Sequence, residues 1–280
     1  MSALDLRRLQ RHLRDSLRRH AAATRAGPFT CYLHPESPDP ALNVAVPDEP
    51  VEGRRVPVLQ EAAGDAAPVA ADDPETGLVL LRAHFAANRR LPRVEFVDAL
   101  HPGLPELLAR HGFRETSRAT LVACTPATWR QVDPPAGARV EPILPDSPWA
   151  SVKSYLEVQR EAYALDMPLP ASAPPGFWPA LQLAAGILVT VDGEPAAAGG
   201  ITPVEDGLAD VRGLAVREAF RGRGLGGFLL SALGQVAHGT GVEALVAVPD
   251  DARTQRLAAR AGFAPAATLR SFTAEAAAAP

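Results

Sequence analysis

Lysine is almost missing from this chain. Of 28 Lys and Arg residues only Lys153 is a lysine, so arginine carries the positive charge. With 32 acidic residues the net charge is −4, and the isoelectric point lies near 6.0. Such a chain has no global basic field to attract phosphate backbones, and it shows no local basic patch, so nucleic acid is not an expected partner. Cysteine is also scarce. Cys31 and Cys124 are the only two, far apart in sequence, with no Cys-x-x-Cys pair and no histidine at ligand spacing. A zinc site and a disulfide framework are both unsupported, no metal is expected, and the usage fits a reduced, cytoplasmic setting. Aromatic residues are only 5%, which leaves no evident aromatic cage for a ligand.

Long apolar runs are missing too. The longest uncharged stretch, Met167 to Val191, is broken by Pro168, Pro170, Pro174, Pro175 and Pro179, and the remaining Ala180 to Val191 is too short to cross a bilayer. The N-terminal residues lack the apolar segment of a signal peptide. Leu6, Leu9, Leu13 and Leu17 instead share one helical face with arginines around it, which predicts a domain helix with a solvated basic side and no membrane partner.

Proline is abundant at 28 residues, about twice ordinary usage, and a length of 280 residues favours two domains. Residues Ala41 to Pro74 are rich in Pro, Asp, Glu and Ala, and short apolar runs such as Val56 to Leu59 suggest short strands. From Arg93 the order is clearer: a strand VEFVDAL, a turn, a short helix LPELLARHGF and a β-rich run RATLVAC. Ala127 to Pro145 reads as a linker and the entry to a second domain, which puts the domains at residues 1–130 and 139–280.

The second half predicts a helix over Trp149 to Leu165, then a meander of three strands, Ile187–Val191, Pro195–Val204 and Leu208–Val216. Asp192-Gly193 and Asp206-Gly207 are the turns, because Asp-Gly tolerates the positive φ of tight hairpins. Leu225, Phe228, Leu229, Ala232, Leu233 and Val236 then form one apolar stripe of a helix ended by Gly239 and Gly241. A strand over Ala244 to Val248, a further helix and a terminal strand around Thr268 to Thr273 complete the half. Val94 to Phe113 and Val242 to Phe263 both run strand, turn, helix, Gly-Phe, which reads as an internal repeat.

The residues that carry chemistry are Arg221, Gly222, Arg223, Gly224, Leu225, Gly226 and Gly227, between the third strand and the amphipathic helix. Glycines there let backbone N–H groups approach an anion, and the helix N-terminus adds about half a positive charge. Arg221 and Arg223 can add donors at the rim. Three readings compete. Gly222-x-Gly224-x-x-Gly227 satisfies a dinucleotide fingerprint, but that motif follows a parallel strand directly, whereas here Arg217 to Arg221 intervene after hairpin-joined strands. A loop that merely packs a helix on a sheet is the second.

The third is a resemblance. Val211 to Leu230 resembles the acyl-CoA-binding core of the GNAT superfamily of N-acyltransferases, with Arg221, Gly224 and Gly226 at the signature positions. The likeness runs over about Val140 to Thr273, and Ala261 to Phe263 match the family's next motif. It implies an α/β (α+β) fold of two GNAT-like domains, each a mixed, mostly antiparallel sheet flanked by helices. It also implies acetyl-CoA or another acyl-CoA as donor, its pyrophosphate on the N–H groups of Arg221 to Gly227 and its pantetheine arm along Leu214, Ala215 and Val216. The N-terminal half resembles the family only around Arg110 to Phe113; no two of its glycines lie two apart, so it is expected to be a degenerate copy without a cradle.

Acyl transfer to an amine requires a base, an oxyanion donor and a proton for the thiolate. Asp210 stands where some family members carry a base glutamate; strict alternation would put Asp210, Arg212, Leu214 and Val216 on one face, Val211 and Ala215 on the other. Glu205 and Glu161 are weaker candidates, and Asp210 could equally be an exposed charge paired with Arg212. The oxyanion donor is expected to be a backbone N–H near Val216. The family often places a tyrosine before Gly-Phe to protonate the sulfur, but that position is Ala258 here, and the common asparagine is Asp251. Tyr163 is the substitute candidate, with a packed aromatic as its plain alternative. The expected function is therefore N-acetyl transfer from acetyl-CoA to a small-molecule amine by a monomer or homodimer. A non-catalytic acyl-CoA sensor is the alternative that Ala258 motivates.

Overall fold

The computed structural model describes residues 4–51, 73–166, 168–174 and 176–274. Val56 to Leu59, expected to be a strand, lies outside the described residues. The chain divides into two compact units, residues 1–120 with 267–280 and residues 121–266. The terminal strand therefore belongs with the first unit, and residues 121–130 belong with the second, in contrast to the sequence boundaries.

In the first unit, α1 (Leu6–Arg18) is followed by β1 (Ala22–Ala26), β2 (Phe29–Leu33), β3 (Asn43–Pro47), α2 (Pro74–Ala87), β4 (Arg93–Val97) and α3 (Leu104–Arg110). β5 (Phe113–Cys124) begins in this unit and ends in the second. The second unit continues with β6 (Ala138–Ile143), α4 (Trp149–Ala162), α5 (Phe177–Leu181), β7 (Ala185–Val191), β8 (Glu194–Ile201), β9 (Leu208–Val216), α6 (Leu225–Gly239), β10 (Ala244–Ala247) and α7 (Ala252–Arg260). β11 (Ala264–Ala274) starts there and returns to the first unit.

The sheet of the first unit runs β1-β2-β3-β4-β11-β5, with β3 and β4 parallel and β1-β2, β2-β3 and β4-β11 antiparallel. Its core gathers Phe29, Leu78, Leu81, Phe85, Phe96 and Leu108 from the sheet, α2 and α3. The leucine face of α1 behaves as expected, with Leu9 and Leu17 buried. One further contact carries no local signature in the sequence. Buried Gln10 donates from Nε2 to the Pro47 carbonyl (3.3 Å) and accepts the Val97 N–H (2.9 Å), bridging the ends of β3 and β4.

The sheet of the second unit runs β5-β10-β9-β8-β7-β6; β9 and β10 are parallel and every other neighbour is antiparallel. Both predicted turns form: Asp192 and Gly193 have φ of 52° and 89°, Asp206 and Gly207 of 48° and 72°, the positive pair a primed hairpin demands. β6, inside the stretch read as linker, pairs with β7 along its whole length despite Pro142. An edge strand tolerates the missing donor. The uncharged stretch from Met167 to Val191 yields only α5 and β7, and among the described residues no helix is long and apolar enough to cross a membrane.

His101 supplies a pH test of the first unit. Its side chain is 1% exposed, Nδ1 accepts the Val51 N–H at 3.1 Å, and burial pulls its pKa from 6.5 down to about 4. The unfolded chain therefore takes up a proton that the folded one refuses, and stability falls as pH drops from 6.5 toward 4. Thermal melting across that range is expected to show a steeper fall for the wild type than for His101→Asn, which keeps an acceptor without a titrating ring.

Candidate active site

β9 is the strand on which the site is built. Its parallel pairing with β10 covers only Leu208, Ala209 and Asp210, so among the described residues no strand pairs with Val211 to Val216 on that edge. The opposite edge stays paired to β8, but the register shifts. Gly200 opposes Arg212 and Ala198 opposes Ala215, leaving Gly213 and Leu214 across from Gly199 alone. This is a β-bulge, with Gly213 at φ +59°.

The bulge overturns the strict alternation expected for β9. Ala209, Val211, Leu214 and Val216 pack in the core beneath α6, while Ala215 packs with Tyr155 and Val158 of α4. Leu214 and Val216 are therefore on the opposite face from Asp210 and Arg212, because one extra residue exchanges the faces beyond it. The bulge also sets the backbone. The Arg217 N–H donates to Ala196 and the Thr202 N–H to Asp210, and alternation between them makes Ala215 bond toward β8 and turns the N–H and C=O of Val216 to the open edge. The Val216 carbonyl there accepts from Arg221 Nε at 3.2 Å.

The glycine string follows after a single 3-10 turn, Glu218–Phe220. Gly222 and Gly224 take positive φ (80° and 83°), and Gly224 is the N-cap of α6 with no side-chain cap. Among the described residues no neighbour beyond the local backbone lies within 4 Å of where a Cβ would sit on Gly222 or Gly227, and only Pro135 comes near Gly224, at 3.8 Å. The result is an exposed stretch of backbone donors at the N-terminus of a 15-residue helix. The seven candidates do not all serve it in one way. Gly226 is glycine for packing, since a Cβ would stand 2.6 Å from Leu257 Cδ1, and the Leu225 side chain is core. Arg223 donates to the Ala219 carbonyl and stacks on Phe220 (5.2 Å), so both arginines lie exposed at the rim, anchored to backbone.

α4 closes the other side. Tyr163, at its C-terminus, donates its hydroxyl to the Leu214 carbonyl (3.0 Å), and burial followed by the Asp250 charge pushes its pKa up. Its one proton is thus committed to the strand, a poor fit to the donor role expected for it. Glu161 is ion-paired with Arg217 (Nε to Oε2, 2.6 Å), and Glu205 sits in the β8-β9 turn, bridged to Leu208. Asp210 is half-buried, its N–H on Thr202 Oγ1 (2.9 Å) and its side chain on the α4 face of β9. Asp251 caps α7 through Thr254, and Ala258 is buried in the core. Sequence reasoning missed Gln159, whose Nε2 donates to Tyr155 Oη (2.8 Å) and the Gly213 carbonyl (3.1 Å). A lone glycine inside a strand pattern was the available signal.

A sequence model of the acetyltransferase (GNAT) family matches residues 154–263. Those residues are a GNAT acetyltransferase domain. A GCN5-related N-acetyltransferase from Kribbella flavida is similar at 23% identity and TM-score 0.75, covering 99% of this chain and 98% of its own. A tandem GNAT protein from the clavulanic acid biosynthesis pathway is similar at 17% identity and TM-score 0.57, covering 90% and 79%. A GCN5-related N-acetyltransferase from Sphaerobacter thermophilus is similar at 20% identity and TM-score 0.53, covering 74% and 66%. No curated protein matches the sequence significantly. The GNAT domain places this part of the chain in a family that transfers acyl groups from acyl-CoA, and the mixed, mostly antiparallel sheet of the second unit, flanked by helices, is the fold expected of it.

The glycines of the GNAT domain make opposite stability predictions. Gly227→Ala adds a methyl into open space in a helix and is expected to stabilise by up to about 1 kcal/mol. Gly224→Ala is forced into the left-handed region and is expected to cost about 1–2 kcal/mol. Denaturant unfolding of the two variants checks the signs.

Proposed function

We propose that the second unit is an acyl-CoA-dependent N-acyltransferase that moves an acetyl group from acetyl-CoA to a primary amine of a small molecule. The observation that carries this reading is the open edge of β9 beyond Asp210, followed after one 3-10 turn by the uncapped glycine loop at the N-terminus of α6. Backbone N–H groups from Gly222 to Gly227 hold the diphosphate, the Arg221 N–H being bonded to the Glu218 carbonyl, with the Arg221 and Arg223 side chains at the rim. The exposed strand edge at Leu214, Ala215 and Val216 receives the pantetheine arm.

Acetyl-CoA supplies the acyl thioester and its thiolate leaving group. The N–H groups of Leu214 and Val216 stabilise the oxyanion as the amine nitrogen bonds to the carbonyl carbon and the C–S bond breaks. Asp210 takes the amine proton. It precedes Leu214 by four residues, about 13 Å of extended strand, so the proton travels through acceptor-bound water. The thiolate, with a pKa of about 8.5, leaves without a dedicated acid and is protonated by solvent. A net charge of −4 favours a small cationic amine over a nucleic acid.

The first unit is in our reading a degenerate copy. It repeats one parallel strand pair, β3-β4, as the second repeats β9-β10, but Gln10 bridges the strand ends that are open in the second unit. The buried thiols Cys31 and Cys124 suit a reducing, cytoplasmic setting. The buried Ala258 favours one rival, an acyl-CoA sensor without turnover.

Calorimetric titration is expected to give one acetyl-CoA per chain and no NADH binding, and Gly224→Asp, which sets a carboxylate where the diphosphate sits, is expected to abolish it. Unchanged affinity in a folded Gly224→Asp sinks the cradle. In an amine screen followed by CoA release, Asp210→Asn is expected to lower kcat about 100-fold or more. Tight binding with no CoA release from any amine favours the sensor.

A further inference from the structure

We infer, building on the acyltransferase reading, that Gln159 and Tyr163 are positioning residues: from α4 they clamp the β9 bulge and so select which backbone N–H groups face the acyl carbonyl. The two carbonyls inside the bulge are both held by α4, Gly213 by Gln159 Nε2 at 3.1 Å and Leu214 by Tyr163 Oη at 3.0 Å. In a trans peptide the C=O and the next N–H point in opposite directions. Tying the Gly213 carbonyl to α4 therefore aims the Leu214 N–H away from α4, toward the side where α6 and the glycine loop lie. Tying the Leu214 carbonyl at the open edge turns the Ala215 N–H to β8.

The register makes the consequence definite. Counting from the Arg212–Gly200 pair, a regular strand would turn the Ala215 N–H to the open edge and the Val216 N–H to β8. The extra residue reverses this, so the open edge carries the Val216 N–H. Glycine suits Gly213, since φ is +59° and a Cβ there would press on the side-chain amide of Gln159. Gln159 is itself fixed by buried Tyr155, one helical turn earlier, so Tyr155, Gln159 and Tyr163 form a single stripe along α4.

The test compares Tyr155→Phe, which leaves both bulge carbonyls bonded, with Tyr155→Phe/Gln159→Leu/Tyr163→Phe, which frees both without stranding the Tyr155 hydroxyl. Amide hydrogen exchange on the free protein is expected to show Ala215 protected in the wild type and in Tyr155→Phe. In the triple variant that protection is expected to fall about tenfold or more, with the α6 amides unchanged. Isotope-edited infrared spectra with [1-13C]acetyl-CoA are expected to show a lowered thioester carbonyl frequency in the first two proteins. The triple variant is expected to lose it while binding within about threefold, because the diphosphate contacts are untouched. Unchanged Ala215 protection in a folded triple variant overturns the clamp whether or not acetyl-CoA binds. A wild type that does not bind acetyl-CoA overturns the acyltransferase reading and leaves the exchange result to judge the clamp. If the triple variant fails to fold, Tyr163→Phe alone, at a half-exposed position, is expected to show the same change at Ala215 in part, and no change there overturns the clamp.

Discussion

A single extra residue in β9 organises the second unit. The bulge at Gly213 and Leu214 reverses the faces of the strand, sending Leu214 and Val216 under α6 and Ala215 under α4. It also decides the orientation of each peptide on an edge that β10 leaves unpaired beyond Asp210. A bulge leaves carbonyls without ladder partners, and a half-buried carbonyl without a partner is costly. The side chains of Gln159 and Tyr163 offset that cost, which ties the geometry of the strand edge to a helix on the other face of the sheet.

The glycine loop shows a similar division of labour. Four glycines in six residues read as one device, yet the neighbours of each differ. Gly222 and Gly224 are required by backbone conformation, Gly226 by the approach of Leu257, and Gly227 by neither, which leaves the open space at its Cβ position as the feature that suits a ligand. The arginines that looked like direct anion donors are tethered to Val216 and Ala219, so they reach the rim from fixed points. The segment Thr125–Pro135 adds a support that its composition did not suggest. Trp129 Nε1 donates to the Ser231 carbonyl of α6, and the Thr128 carbonyl crosses so close to Gly262 that a Cβ there would collide with it.

Much of the fold was legible because it rests on local rules. The Asp-Gly turns, the meander they join, the apolar stripe of α6 and the strand-helix order on both sides of Gly112-Phe113 and Gly262-Phe263 follow from φ preferences and periodicity within a few residues. β6 was hidden because the proline-rich stretch around it resembles a linker and only pairing with β7 reveals a strand. The assignment of β11 to the first unit was hidden for the same reason: its partner β4 lies some 170 residues earlier in the chain, and no local pattern records that distance.

The sequence by itself determined most elements of the second unit, the turns and the presence of a glycine-rich loop ahead of a helix, because each is set by residues close together in the chain. Tertiary structure decided the rest: which face Leu214 and Val216 occupy, which carboxylate remains outside an ion pair with Arg217, and where the Tyr163 proton goes. Those outcomes depend on contacts between β9 and a helix fifty residues away, where one inserted residue changes the direction of every group that follows it.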